Sequence, residues 1–231
     1  MAVSLLLSGC SAVTSIRGAR ASASSTAAVA SNIPLCDLTT VGKVEEKLGQ
    51  QVEKFTYEHS SSYEHNNTPS TYASYGCWVY GFSEHQVETE KFIVKYKTDT
   101  DVDVPALYDA HTYAEAKALQ RASRFTLDGI QGEGVTIPLE TNNWAAVWQY
   151  PDGTILTVLA VRNRDTEKIS NGGDVVTAIT EIFAPKVPDI AAGPTQEFTF
   201  YPVNENTKKQ LGIVDDDDIA TPRTPWPSPS R

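Results

Sequence analysis

The chain has 231 residues, of which 40% are hydrophobic and 21% are charged, and this composition is typical of a globular protein. Its formal net charge is −10, and every Asp and Glu follows residue 36. An acidic body argues against nucleic acid as a partner, because that binding depends on Lys and Arg releasing counterions, and it opposes attraction to anionic lipid headgroups.

The first ten residues resemble the end of a bacterial lipoprotein signal peptide. Leu7-Ser8-Gly9-Cys10 places an apolar residue and two small residues before a cysteine, which is the pattern of a lipobox. In such signals the cysteine sulfur is acylated and the cysteine becomes the mature N-terminus. The basic n-region is missing and the apolar core is short, which we interpret as a start codon placed too far downstream. We predict that residues 1–10 are a truncated signal and that Cys10 anchors the protein at the extracytoplasmic face of the cell membrane.

Two other interpretations of the N-terminus stay open. Residues 1–35 are rich in Ser and Ala and contain Arg but no acidic residue, which also fits an organelle transit peptide. The remaining interpretation is a secreted or cytosolic protein without a lipid anchor.

Residues 11–32 form the predicted tether between the anchor and the folded domain. They are largely small residues without apolar periodicity, and such segments stay disordered because they bury too little apolar surface to offset ordering. A flexible coil of this length has a root-mean-square reach of about 25 Å. The tether would hold an acidic domain clear of the lipid surface.

From residue 33 the sequence predicts a helix followed by strands. Val41, Val44 and Leu48 recur at helical spacing after a Thr pair that can cap the helix. "QQVEKFTYEH" then predicts a strand, and residues 59–75 are polar and turn-rich, which favours an exposed loop. "CWVYGF" and "EKFIVKYK" predict a pair of strands, the second with an apolar face formed by Phe92, Val94 and Tyr96.

The second half of the chain repeats this order. Thr112 and Glu115 have the spacing of a capping box at the start of the helix "TYAEAKALQRA", and "GVTIPL" predicts a short strand. "NWAAVWQYPDGTILTVLAVRN" predicts a hairpin around Pro151-Asp152-Gly153. "GDVVTAITEIFAP" predicts a helix stopped by Pro185 and Pro188, with an apolar face formed by Val175, Val176, Ile179, Ile182 and Phe183.

These elements predict an α+β domain over residues 33–190, in which helices pack on an antiparallel sheet. Two segments share the order strand, strand, helix, "CWVYGF…EKFIVKYK…TYAEAKALQRA" and "WAAVWQY…TILTVLAVRN…GDVVTAITEIF", which indicates a duplicated unit. Residues 191–231 are predicted to be an extension. It holds a strand at "EFTFYPV", a short helix near "NTKKQLG" and a disordered acidic, Pro-rich tail.

The three cysteines have different predicted fates. With Cys10 assigned to lipid, Cys36 and Cys77 remain as a pair, and an oxidising envelope compartment favours a disulfide between them. Closing a loop of about 40 residues contributes roughly 3–4 kcal/mol in the loop-entropy description. Two buried free thiols are the alternative.

"PLCDLTTVGKVEEKLG" with the later "CWVYG" resembles a family of actinobacterial envelope lipoproteins known only as a domain of unknown function. By element order the resemblance covers residues 34–185, but its specific motifs cover only the first third. The chain departs from the family at Thr39, where a second Leu is common, and at Gly42-Lys43, where an acidic residue usually caps. The resemblance implies lipid anchoring and a disulfide and supplies no catalytic residues; it is carried by Cys36, Asp37, Leu38, Leu48, Gly49, Cys77 and Trp78.

Metal-binding patterns are weak. Three histidines each follow a Glu: His59, His65 and His85. Imidazole is a common transition-metal ligand. The spacing of these histidines fits no established metal site, however, and a solvated loop is the simpler interpretation. "DTDVDV" imitates the start of an EF-hand but lacks the required Gly and Glu later in the loop, which favours a turn lined by Asp99, Asp101 and Asp103. We predict no metal and no other cofactor.

The sequence contains no G-x-S-x-G and no H-E-x-x-H motif. Aromatic residues at alternate strand positions usually belong to the hydrophobic core. They can also line a ligand cleft, and the candidate residues for such a cleft are Trp78, Tyr80, Trp144, Trp148 and Tyr150. We therefore predict a non-enzymatic lipoprotein that binds an envelope protein or an apolar cell-wall or lipid ligand. One alternative is a hydrolase-like enzyme with a dispersed acidic site, which two or more carboxylates beside a His in one pocket would favour. The other is a soluble, organelle-imported α+β protein.

Overall fold

The computed structural model describes residues 32–48, 51–65, 68–70, 72–82, 88–98, 101–104, 107–139, 143–161 and 171–203. Several sequence-based predictions concern residues outside these ranges and stay predictions. They are the predictions for the lipobox with Cys10, the tether, His85, Asp99 and the chain after Val203.

Most of the described strands belong to one antiparallel sheet. The strand bounds are β1 Pro34–Leu35, β2 Thr39–Thr40, β3 Lys54–His65, β4 Thr68–Ser70, β5 Tyr72–Phe82, β6 Glu88–Lys97, β7 Ser123–Leu127, β8 Ile130–Pro138, β9 Trp144–Gln149, β10 Ile155–Ala160 and β11 Gln196–Pro202. The large sheet has nine described strands in the order β11-β3-β5-β6-β10-β9-β8-β7, with β4 paired to β3. A short ribbon of β1 and β2 precedes it.

Helices pack on both faces of this sheet. Their bounds are α1 Val41–Leu48, α2 Tyr113–Ala118, α3 Gly172–Phe183 and α4 Val187–Ala191. Helices α1, α3 and α4 cover one side, which we call the first face. Helix α2, with residues 101–104 and 107–112, covers part of the other side, the second face. The chain is therefore an α+β domain built on an antiparallel sheet, as predicted. Within the described residues, no helix combines the length and the apolar character needed to cross a membrane.

Side-chain alternation along the central strands sorts residues between the two faces. Phe92, Val94 and Tyr96 of β6 belong to the apolar cluster on the first face, as predicted, whereas Ile93 belongs to the cluster on the second face. In β5, Cys77 likewise points to the first face and Trp78 packs against the second-face cluster. Successive residues of a strand point to opposite faces, so both faces of this sheet are built from the same strands.

The predicted disulfide between Cys36 and Cys77 is confirmed. Their sulfur atoms are 2.05 Å apart, and both residues are buried in the first-face cluster. The Tyr75 hydroxyl donates a hydrogen bond of 3.1 Å to the Cys36 carbonyl oxygen. Cys36 and Asp37 have φ values of 53° and 55°, a left-handed conformation that is costly for residues other than glycine. The disulfide and this hydrogen bond therefore hold a strained turn against the central strand.

The predicted exposed loop at residues 59–75 is wrong. Strand β3 continues to His65, and β5 begins at Tyr72 and pairs with β3 along their length. The segment is polar, which suggested a loop, but Thr and Tyr favour extended backbone. Pairing of the two strands satisfies their backbone N–H and C=O groups, so a polar sequence forms a long strand pair here.

The last described strand belongs to the domain. β11, predicted within the extension, pairs antiparallel with β3 at one edge of the large sheet. Strand β11 therefore lies in the same sheet as the strands predicted for residues 33–190. The Thr112–Glu115 capping box is confirmed. Helix α3 ends before Pro185, but Pro188 lies in the first turn of α4, where proline is well tolerated.

The two segments proposed as a duplicated unit share strand order but differ in helix packing. The hairpins β5–β6 and β9–β10 lie side by side in the sheet, with β6 next to β10. The helix that follows the first hairpin, α2, packs on the second face, and the helix that follows the second, α3, packs on the first face. The resemblance between the segments therefore does not extend to how their helices cover the sheet.

Removing the disulfide should destabilise the domain. We expect the double variant Cys36→Ala/Cys77→Ala to lose at least about 3 kcal/mol of unfolding free energy, because the unfolded chain is no longer constrained. Urea denaturation with and without reductant measures the loss, and the reductant should leave the double variant unchanged. Recovery of both cysteines as free thiols in non-reducing peptide mapping would contradict the pairing.

Candidate functional site

Within the described part of the chain, the second face of the sheet is only partly covered. Its apolar cluster draws on β6, β10, β9 and β8, whereas α2 with residues 101–104 and 107–112 leaves an open groove over β3, β5 and the outer side of β6. The groove has a volume of about 350 Å³, and we call it the Trp78 groove. It is lined by Glu58, His59, Ser60, Ser74, Tyr75, Gly76, Trp78, Lys95, Tyr96, Lys97, Asp103, Thr195, Gln196 and Glu197.

A row of three residues crosses the floor of this groove. Glu58 of β3 lies opposite Gly76 of β5, and Gly76 lies opposite Lys95 of β6. Residues in direct register share a face of the sheet, so a carboxylate and an ammonium group flank a position that has no side chain. The missing side chain opens the space between them.

The Trp78 indole fills part of the space above Gly76. A Cβ atom at Gly76 would overlap the Trp78 ring, so glycine is what allows the ring to lie against the backbone of β5. The ring also packs against Phe198 of β11, with centroids 5.9 Å apart, and Phe198 is 37% exposed. An aromatic surface therefore stands beside the polar floor.

Charge in the groove is largely balanced. The Asp103 carboxylate accepts from Lys95 at 3.2 Å and lies 3.4 Å from the Lys97 ammonium nitrogen. Burial works to raise the pKa of Asp103, but the two ammonium groups prevail and hold that pKa below its ordinary value. Burial raises the pKa of Glu58, and the positive charge of Lys95 opposes that shift only in part. A carboxyl group with a perturbed pKa beside a specific charge partner in a cleft is typical of functional sites.

Hydroxyl groups close one end of the groove. Ser60 Oγ donates to the Ser62 carbonyl oxygen at 2.5 Å and lies 3.3 Å from Thr195 Oγ1. Thr195 immediately precedes β11, so this contact joins the edge strand to β3. Ser74 lies opposite both Ser60 and Lys97 in register and adds a third hydroxyl to the lining.

The predicted aromatic cleft is divided between the two faces. Trp78 and Tyr80 lie on the second face, but only Trp78 lines the groove, and the Tyr80 ring contacts the Lys54 ammonium group at 4.9 Å. Trp148 is fully buried in the first-face cluster, where Trp144 packs against α3 at Gly172. Tyr150, the remaining predicted residue, donates a hydrogen bond of 2.9 Å from its hydroxyl to the Ala184 carbonyl oxygen and packs on the same cluster.

The metal-ligand candidates do not converge in the described part of the chain. His59 is 8% exposed; its ring contacts Tyr57 on the first face, and burial lowers its pKa while the Asp37 carboxylate opposes that shift. His65 lies at the end of β3, and its side chain is outside the description. Asp101 forms a backbone bridge to Thr112. Among the described residues, no group of three or more His, Cys, Asp or Glu could hold a metal ion.

The most informative groove residues were missed or misassigned from sequence. From the sequence, Glu58 is notable only as the residue before His59, and Asp103 only as part of a segment that imitates a calcium-binding loop. The alternation that places Phe92, Val94 and Tyr96 on the first face also places Lys95 and Lys97 on the second, and this signal was present in the sequence. Gly76 carried no signal, because its role depends on where Trp78 lies.

Comparison of the chain with protein-family models, curated proteins and solved structures yields no match. The resemblance to actinobacterial envelope lipoproteins therefore stays a prediction from sequence.

The pH dependence of stability should differ in sign between the two groove acids. Because the folded-state pKa of Glu58 is raised, wild type loses stability as pH rises from the unfolded value of about 4.3 through the raised value. Glu58→Gln avoids that loss, so it should be more stable than wild type at pH 7.5, and the difference should vanish by about pH 3.5.

Asp103→Asn provides the control of opposite sign. The lowered pKa of Asp103 gives stability that is present above its unfolded value of about 3.9 and is lost as pH falls through the folded value. This variant should therefore be less stable than wild type at pH 7.5, by less than about 1 kcal/mol because the pair is partly exposed. Urea denaturation at both pH values checks the two variants, and the same sign of effect in both would refute this electrostatic description.

Proposed function

We propose that this protein is a non-enzymatic envelope lipoprotein, anchored through acylated Cys10, that binds a ligand in the Trp78 groove. One observation carries the proposal. The Trp78 ring lies over Gly76, and Glu58 and Lys95 stand on either side of that position in the groove. Small-molecule sites combine an apolar wall with a few convergent polar groups in this way.

The disulfide supports an extracytoplasmic location. Disulfides persist in oxidising compartments and are rare in the cytosol, and Cys36–Cys77 is buried within the apolar core. The lipobox at Cys10 and the resemblance to envelope lipoproteins favour the same compartment. An acidic domain on a flexible tether would depend on the acyl chain for membrane contact, since its charge repels anionic lipid.

The chemistry of the groove favours a polar ligand over the apolar lipid expected from sequence. The described lining residues carry carboxylates, ammonium groups and hydroxyls, and the largest apolar side chain among them is Trp78. Burying an unpaired charged group against a hydrocarbon chain is unfavourable. A polar ligand with one apolar face would pair these groups and still contact the ring.

A hydrolase that uses Glu58 as a general acid is the second candidate. The groove gathers Glu58, Asp103 and Glu197, and burial raises the pKa of the first. Two features favour binding instead. Asp103 is paired with two lysines, and the imidazole of His59 packs against Tyr57 on the first face. A hydrolase would lose turnover in Glu58→Gln, whereas a binding protein releases no product in either form.

The anchor can be tested by fractionation. Cys10→Ser removes the thiol that would carry the acyl chain, so we expect loss of fatty-acid labelling and a shift of the protein from the membrane to the soluble fraction. Ser15→Ala, within the predicted tether, should leave both unchanged. Unaltered membrane association of Cys10→Ser would refute lipid anchoring.

The groove can be tested by native mass spectrometry of the full chain purified from a bacterial envelope. We expect an adduct on wild type that is lost in Gly76→Ala, because the added Cβ displaces the Trp78 ring from its place in the groove. Tyr108→Ala is the control, since Tyr108 is 85% exposed and does not line the groove. An adduct that survives Gly76→Ala would place the ligand elsewhere, and wild type without any adduct would count against a retained ligand.

A further inference from the structure

We propose that the ligand of the Trp78 groove is a neutral glycan, with one sugar ring stacked on the Trp78 indole. This inference rests on the proposed function, because it names the chemical class of the ligand for the same groove. Three properties of the groove carry it: an aromatic surface, hydroxyl-binding groups beside that surface, and balanced charge.

The aromatic surface matches one face of a sugar ring. A pyranose ring presents C–H groups on its faces and hydroxyl groups around its edge, so it pairs an apolar face with a polar rim. Trp78 is half-buried, is held against Gly76 on one side and packs against Phe198 on another. A ring fixed in this way loses little conformational entropy on binding, which favours rigid aromatic contacts.

The polar groups beside the ring match the rim of the sugar. A carboxylate accepts hydrogen bonds, an ammonium group donates them, and a serine hydroxyl does both. Glu58 and Lys95 stand on either side of Gly76, and Ser74 lies one row along the sheet. Hydroxyls of a sugar can donate to the first and accept from the second, so neither charged group is left unpaired by a neutral ligand.

The near balance of charge in the described lining argues against a strongly charged ligand. The described lining residues include three carboxylates and two ammonium groups, and Asp103 is paired with both Lys95 and Lys97. A phosphate or polyanionic ligand would face Glu58 and Glu197 with no lysine free of Asp103, and a polycation would face both ammonium groups. Like-charge contacts of either kind are costly in a binding site, which leaves a neutral polyhydroxyl compound as the matching class.

The size of the groove agrees with a short glycan segment. Its volume of about 350 Å³ is at the lower end of small-molecule sites, which span about 300–1,000 Å³. The groove is open to solvent, so a longer chain can continue beyond the residues in contact. This geometry suits part of a polysaccharide better than a fully enclosed metabolite.

Isothermal titration calorimetry on the full chain tests the glycan. The probes are four neutral trisaccharides (maltotriose, cellotriose, mannotriose and the N-acetylglucosamine trimer) and two charged oligosaccharides, one from hyaluronan and one from chitosan. We expect at least one neutral probe to bind wild type more tightly than both charged probes do. Trp78→Ala should weaken that binding at least tenfold, Trp78→Phe should retain part of it, and Tyr108→Ala should not change it.

The possible outcomes distinguish a failure of the glycan proposal from a failure of the proposed function. Failure of every neutral probe, or equal binding by wild type and Trp78→Ala, overturns the glycan. If the native adduct is nevertheless lost in Gly76→Ala, the groove binds a ligand of another class and the proposed function stands. If wild type also carries no adduct, both proposals fail. Matched thermal unfolding of all variants shows that a loss of binding does not reflect a loss of fold.

Discussion

The register of strand β5 is the constraint on which both faces of this domain depend. Cys77 is bonded to Cys36 within the core of the first face, and a shift of one residue would exchange every side chain between the faces. The disulfide therefore fixes more than a loop. By holding Cys77 inward, it also directs Gly76 and Trp78 to the second face, where the groove lies. Core residues and groove-lining residues are thus interleaved along one strand, and neither set can shift without the other.

Partial coverage of the second face explains why a groove exists there. Helix α2 has six residues and packs over β8 and β9, whereas the first face is covered by α1, α3 and α4. Beyond α2, the sheet surface is polar where it lies open, and the pair of lysines with Asp103 marks the boundary between covered and open parts. Burial there is deep enough to raise the pKa of Glu58, yet leaves room for a ligand. The short helix and the missing side chain at Gly76 together create the site.

Local sequence signals predicted the fold class, the disulfide, the capping box at Thr112 and the hairpin around Pro151, because each depends on residues close in sequence or on few cysteines. Long-range pairing was harder to predict. The polar segment 59–75 resembled a loop until its pairing partner was known, and β11 resembled part of a tail until it was found beside β3. The groove also depends on long-range strand pairing. Most of its residues come from β3, β5, β6 and the start of β11, which the strand order brings together, and Asp103 and Thr195 join them from segments between the strands.

The position of β11 has a consequence for how the domain folds. This strand pairs with β3, which precedes it by well over half of the described chain, so their contact has a high sequence separation. Non-local strand pairing is slow because loop closure must precede it. Thr195 and Phe198 complete the groove from a segment that is synthesised long after Trp78 and Glu58. A polypeptide interrupted before this point would keep its disulfide and most of its core while leaving the groove without its outer wall.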